Sequence, residues 1–129
     1  MGDGGIRVLL VEDNEADQFA FERFVRAEKL AYDCDIVGSV AEGRDRLSRK
    51  RYDVVVADYA LAGGTAFDLL GLVRGAPVIF TTGSSDEHVE ARARNAGVVD
   101  FLVKDCEYKY LHQLAEAIDR TLNRARPAE

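Results

Sequence analysis

The residues best placed to do chemistry stand at the ends of short apolar runs. Asp53-Val54-Val55-Val56-Ala57-Asp58 holds four apolar residues, three of them β-branched, closed by a carboxylate. Arg7–Val11 is followed by Glu12-Asp13, Val78-Ile79-Phe80 leads into Thr81-Thr82, and Val98–Val103 leads into Lys104. Unalternated apolar runs of this length suit strands buried on both faces of a parallel sheet. In such sheets the C-terminal strand ends share the edge where ligands bind. That edge would collect three carboxylates (Glu12, Asp13, Asp58), the Thr81 hydroxyl and the Lys104 ammonium. Asp58 alone reads equally well as the start of the turn before Ala62-Gly63-Gly64; the set of five makes the case for a site.

Three neighbouring carboxylates repel one another, by about 4 kcal/mol per pair at about 4 Å and an effective dielectric of about 20. Such a cluster raises a pKa or binds a cation. The suitable cation is hard and oxygen-seeking, and Mg²⁺ fits a site of a few carboxylates, waters and a phosphate. A carboxylate held there can attack phosphorus and form an aspartyl phosphate. Phosphoryl transfer needs positioning and charge stabilisation more than acid–base chemistry. Lys104 would supply a positive charge, Thr81 a hydrogen bond, and no histidine is required.

The elements that must position these groups follow from periodicity. Asn14-Glu15 can cap a helix from Glu15 to about Glu28, with Ala20, Phe21, Phe24 and Val25 as its apolar stripe. Phe19 falls beside that stripe, where partial exposure is expected, and reads as part of a wide core face rather than a partner contact. Tyr32–Val37, with Asp33 and Asp35, reads as a strand near an edge. Ser39-Val40-Ala41-Glu42 and Ser84-Ser85-Asp86-Glu87 both have the capping-box pattern, and predict helices ending near Lys50 and Ala96. Thr65–Val73 predicts a stubby helix. From Tyr108 to Arg124, Leu111, Leu114, Ala115, Ile118 and Leu122 form one continuous stripe. Five strands alternating with five helices imply right-handed crossovers and a parallel sheet covered on both faces.

Composition narrows the function classes. The 129 residues suffice for one domain, 1–129, with a real core. A net charge of −6 argues against direct nucleic-acid binding. No apolar run approaches the ~20 residues of a membrane span, and Met1–Gly5 is too short and polar for a signal peptide. Cys34 and Cys106 lack metal-ligand spacing and read as free thiols in a reducing cytoplasm. His88 and His112 are isolated, which leaves zinc without a ligand set.

Val11-Glu12-Asp13-Asn14, Val56-Ala57-Asp58-Tyr59, Phe80-Thr81-Thr82-Gly83 and Asp100-Phe101-Leu102-Val103-Lys104 are each weak motifs. In this order and spacing, the chain from about Ile6 to Leu122 resembles the receiver domain of two-component response regulators. The resemblance implies a (βα)₅ flavodoxin-like α/β fold, doubly wound, with strand order 2-1-3-4-5. It implies that Asp58 accepts a phosphoryl group, with Asp13 and Asp58 binding Mg²⁺ directly, Glu12 through water and the Ala60 carbonyl as a further ligand. Thr81 and Lys104 would contact phosphoryl oxygens, and Phe101 matches the switch aromatic. A histidine kinase or histidine phosphotransfer protein would be the donor. The output would be a surface of the fourth helix, fifth strand and fifth helix toward an unnamed protein, with homodimerisation left open. Such a protein is cytoplasmic and is no enzyme beyond its own phosphorylation and dephosphorylation.

The departures from the family pattern are local. Asp105 stands where Pro usually follows the Lys, which predicts a trans peptide and a different loop into the last helix. Ala62 and Ala66 replace a Pro and a Gly, which predicts a looser loop. Phe101 lacks a hydroxyl, and Thr82 is larger than the usual small residue and could crowd the phosphoryl group. These leave a second reading, a receiver-like binding module independent of phosphorylation. A phosphatase with an Asp nucleophile would want a second carboxylate two residues on, where this chain has Ala60.

Overall fold

The apolar runs become a two-faced sheet because their side chains alternate between two cores. In a computed structural model, which describes residues 5–125, β1 is Ile6–Val11 and β3 is Val54–Asp58. Val8, Leu10, Val54 and Val56 enter one core, whereas Leu9, Val11, Val55 and Ala57 enter the other. Every residue of β3 is buried. β2 (Tyr32–Val37), β6 (Val78–Thr82) and β7 (Asp100–Val103) complete one parallel sheet in the order β2-β1-β3-β6-β7. β6 and β7 are the fourth and fifth strands expected from the sequence, so this is the doubly wound order 2-1-3-4-5, with the acidic β2 at an edge. Residues 1–4 and 126–129 lie outside the described residues.

Helices cover both faces. α1 (Glu15–Ala27) and α4 (Tyr110–Ala125) close one core through Phe21, Leu111, Leu114, Ala117 and Ile118. α2 (Val40–Arg49), a 3-10 helix (Ala66–Leu72) and α3 (Glu87–Asn95) close the other. Asn14 caps α1, its Oδ1 accepting from the Asp17 N–H at 2.9 Å, and Ser39 Oγ caps α2 through the Glu42 N–H at 3.1 Å. α3 departs from the Ser84 capping box. Asp86 is its cap, one carboxylate oxygen accepting from both His88 and Val89 N–H groups. An ionised acceptor directly before the first turn takes both amides, as the helix dipole favours. The expected stubby helix is the 3-10 turn. Phe19 is a correction: it is 60% exposed. The core face of α1 is centred on Phe21 and reaches Phe24 and Val25, while Phe19 points outward with the Arg23 guanidinium 5.9 Å from its ring.

The loop after Asp58 is tied down rather than loose. β4 (Ala60–Leu61) and β5 (Gly64–Thr65) form a two-residue antiparallel ladder. The Val40 N–H donates to the Ala62 carbonyl at 3.0 Å, and the Ala66 N–H to the Tyr59 carbonyl at 2.9 Å. Gly64 is required by contact: a Cβ there would run into the Asp68 carboxylate, which accepts from the Thr65 N–H at 2.9 Å. Gly63 needs its positive φ of 89°, yet a Cβ would meet only Val40 at 3.8 Å. Gly64→Ala should therefore cost about 2 kcal/mol of stability and Gly63→Ala about 1 kcal/mol in urea unfolding. Equal losses would contradict the Asp68 contact.

Candidate functional site

Four strand ends deliver the site. Glu12 follows β1 and is pinned by its N–H to the Val37 carbonyl at 2.9 Å, and the Gln18 amide caps its carbonyl at 2.6 Å. Asp58 is the last residue of β3 and pairs in register with Thr81 of β6. Lys104 leaves β7 with its N–H on the Thr82 carbonyl at 2.7 Å. Glu12, Asp13 and Asp58 each present a carboxylate oxygen within 4.8 Å of the others. Glu12 and Asp58 are buried and Asp13 is exposed, so the cluster opens to solvent on one side.

Lys104 compensates the acids. Its Nζ donates to Glu12 Oε1 at 3.0 Å, Asp17 Oδ2 at 2.7 Å and Asp58 Oδ2 at 3.3 Å. An ammonium has three N–H groups, and three carboxylates take them. Burial pushes the Glu12 carboxyl up to about 7, against the pull of Lys104 and with a further push from Asp58. Burial also raises Asp58, and Lys104 pulls it back. The Lys104 ammonium is itself raised, its three acidic neighbours outweighing its desolvation. Asp17 is the residue missed in the sequence. Its signal was its position in the first turn of α1, four residues after Asp13 and on the side facing the strand ends.

The remaining residues fall around this centre. Thr81 is buried beside Asp58 in the ladder. The Thr82 hydroxyl is occupied with its own loop, donating to the Ser84 carbonyl at 3.1 Å. Ala60 is exposed on the rim. The Thr65 and Ala66 N–H groups donate elsewhere, to Asp68 and Tyr59, so Ala60 and Thr65 face each other as a pair without mutual bonds and the Ala60 carbonyl points out of the ladder. Phe101 is not part of the acid cluster. It lies opposite Phe80 in the register and packs in the core on the α2 and α3 side, 8% exposed. There is no cis peptide among the described residues, as Asp105 predicts. Asp105 accepts instead from the Glu107, Lys109 and Tyr110 N–H groups at 3.2, 3.1 and 2.8 Å, and so launches α4.

Hard oxygen donors at this spacing, one of them solvent-facing, suit a small divalent cation of the Mg²⁺ type. With an ammonium and a hydroxyl alongside, the edge can hold a phosphoryl group next to Asp58.

Comparisons with known proteins agree with the geometry. The family model described as response regulator receiver domain matches residues 8–116. The regulatory protein LuxO of Vibrio vulnificus is 33% identical over 104 residues, covering 76% of this chain and 22% of LuxO, so the chain spans about a fifth of that relative. The non-phosphorylated HemR receiver domain of Leptospira biflexa superposes with a TM-score of 0.80 at 23% identity, covering 96% of this chain and 99% of that receiver-domain chain. The receiver domain of the sensor histidine kinase PA1611 from Pseudomonas aeruginosa, whose structure holds magnesium in its active-site cleft, gives 0.76 at 24% identity over 93% of this chain and 99% of its own. The family match runs through all five sheet strands and into the first half of α4, and on that ground the chain belongs to the response regulator receiver domain family of two-component signalling.

Proposed function

We propose that Asp58 is the phosphoacceptor of this receiver and that residues 1–129 act as one switching domain. The observation that carries the reading is the Asp58 carboxylate at the sheet edge, with two further acids within 4.8 Å and the Lys104 ammonium at 3.3 Å. Asp13 and Asp58 would hold Mg²⁺ directly, Glu12 through water, and the outward Ala60 carbonyl would complete the protein ligands. When bound, the ion would add positive charge beside the transferring group. An Asp58 oxygen attacks phosphorus of a phosphohistidine on a kinase or phosphotransfer protein. The O–P bond forms as the P–N bond breaks, and its electron pair stays on the donor imidazole. Lys104 offsets the charge on the phosphoryl oxygens, and Thr81 donates a hydroxyl hydrogen bond to one of them.

The output belongs to α3, β7 and α4, which correspond to the fourth helix, fifth strand and fifth helix of the expected surface. Val99 and Val103 stand 43% and 41% exposed along it, an apolar strip for a protein target or a second copy. Phe101, sealed beneath this surface, is the proposed switch aromatic and acts through packing, since it has no hydroxyl. A cytoplasmic setting belongs to the same proposal. Among the described residues no helix is long and apolar enough to cross a membrane. The phosphorylation-independent module is disfavoured because the acids and Lys104 converge.

Incubation with acetyl phosphate and Mg²⁺ should add one phosphoryl group by intact mass, and the gain should vanish with EDTA or in Asp58→Asn. An unmodified wild type under these conditions would refute the acceptor assignment. The electrostatics carry a second prediction. Burial pushes the folded Glu12 carboxyl up to about 7 from its ordinary 4.5, so between these values the folded state binds more protons than the unfolded one. The Glu12 contribution to the stability of the metal-free protein is then fully present below about 4.5 and is lost as pH rises through about 7. In EDTA, urea midpoints should decline across this window for wild type and flatten for Glu12→Gln; the same slope in both would place the effect elsewhere.

A further inference from the structure

We infer that Asp17 is a positioning residue for Lys104, holding the ammonium in the resting state and competing for it with the phosphoryl group on Asp58. The inference rests on the phosphoacceptor reading above and extends it to a residue outside the acid cluster. Asp17 Oδ2 is the closest of the three carboxylate partners of Lys104 Nζ, at 2.7 Å against 3.0 Å for Glu12 and 3.3 Å for Asp58. Its side chain is 17% exposed and that of Lys104 is 13% exposed, so little solvent screens the pair.

Asp17 is well held. It occupies the first turn of α1, with its own N–H on the Asn14 cap. Tyr108, in the loop from β7 to α4, faces the Asp17 carboxylate, and its hydroxyl is raised above the usual tyrosine range by desolvation and then by Asp17. Tyr108 adopts a positive φ of 61°, uncommon for a bulky residue. Asp105 sets this loop by taking three N–H groups around it. The loop that replaces the family's Lys-Pro connection thus places Tyr108 against the carboxylate that holds Lys104.

The three N–H groups of Lys104 are all engaged at rest. When Asp58 becomes an acyl phosphate, its own oxygens lose the carboxylate charge and the phosphoryl group gains the stronger claim on the ammonium. Glu12 and Asp17 remain as rivals for Lys104. Glu12 belongs to the cation cluster, where a bound ion would draw on its charge, whereas Asp17 does not. Asp17 is therefore the counter-anion that a phosphoryl group must outbid. Removing its charge while keeping its shape leaves more of the ammonium for the phosphoryl oxygens.

The test is beryllium fluoride binding at saturating Mg²⁺, followed by amide NMR, for wild type, Asp17→Asn, Asp17→Ala and Asp17→Glu. Asp17→Asn and Asp17→Ala should bind roughly three- to tenfold more tightly than wild type, the range for the net gain of one hydrogen bond, and Asp17→Glu should return toward wild type. Urea midpoints measured alongside register the loss of an acidic side chain from the first turn of α1, which by itself leaves the binding unchanged. Equal affinities across the set, or weaker binding in Asp17→Asn and Asp17→Ala, would overturn the inference while wild-type binding leaves the acceptor reading standing. A wild type that binds no beryllium fluoride would remove the acceptor reading and this inference together.

Discussion

The structure depends on one ammonium among four carboxylates. A parallel sheet brings its strand ends to one edge, and here that edge is acidic. Glu12 and Asp58 are buried at their strand ends, where unscreened like charges are costly. Lys104 makes the arrangement tolerable by giving one N–H each to Glu12, Asp17 and Asp58. A buried pair of this kind adds little net stability over an apolar substitute. Its value lies in holding several acids at a spacing that a cation and a phosphoryl group can use.

The rest of the fold reads as support for that edge. The fully buried β3 fixes Asp58 from both faces, and the register of β3 with β6 puts Thr81 directly beside it. The β4–β5 ladder, with Gly64 packed on Asp68, sets the direction of the chain as it leaves Asp58. From Phe67, edge-on rings lie at 5.9 Å to Tyr59 and 5.2 Å to Phe80, and the Arg92 guanidinium of α3 sits 4.0 Å above its ring. The residue after Asp58 is in this way packed through to the helix that borders the proposed output surface.

Much of this was legible in the sequence because strand burial and strand ends leave strong marks. Runs such as Val54–Ala57 announce a two-faced strand, and the parallel order then forces Glu12, Asp13, Asp58 and Lys104 to one edge. The stripe from Leu111 to Ile118 located α4 for the same reason. What was not legible depended on competition between local partners. Ser84 and Asp86 both offered a cap, and only the geometry of the first turn selects the carboxylate. Phe19 lies next to the true stripe in angle, and its exposure depends on where α1 tilts. The loop at Ala62 lacks the family's Pro, and its order comes from backbone bonds to α2 that composition does not display. Asp17 was missed because its role requires Lys104 to reach across from a strand 87 residues away in the chain.

The central claim is that Lys104 and a divalent cation share the burden of the same acids. Its most direct test is the Mg²⁺ affinity of wild type and Lys104→Met, titrated by amide NMR at neutral pH. With the ammonium gone and the stem volume kept, the acids have only the ion to balance them, and Mg²⁺ should bind roughly three- to tenfold more tightly in the variant. Unchanged or weaker binding in Lys104→Met would show that the ammonium is not what holds the cluster together.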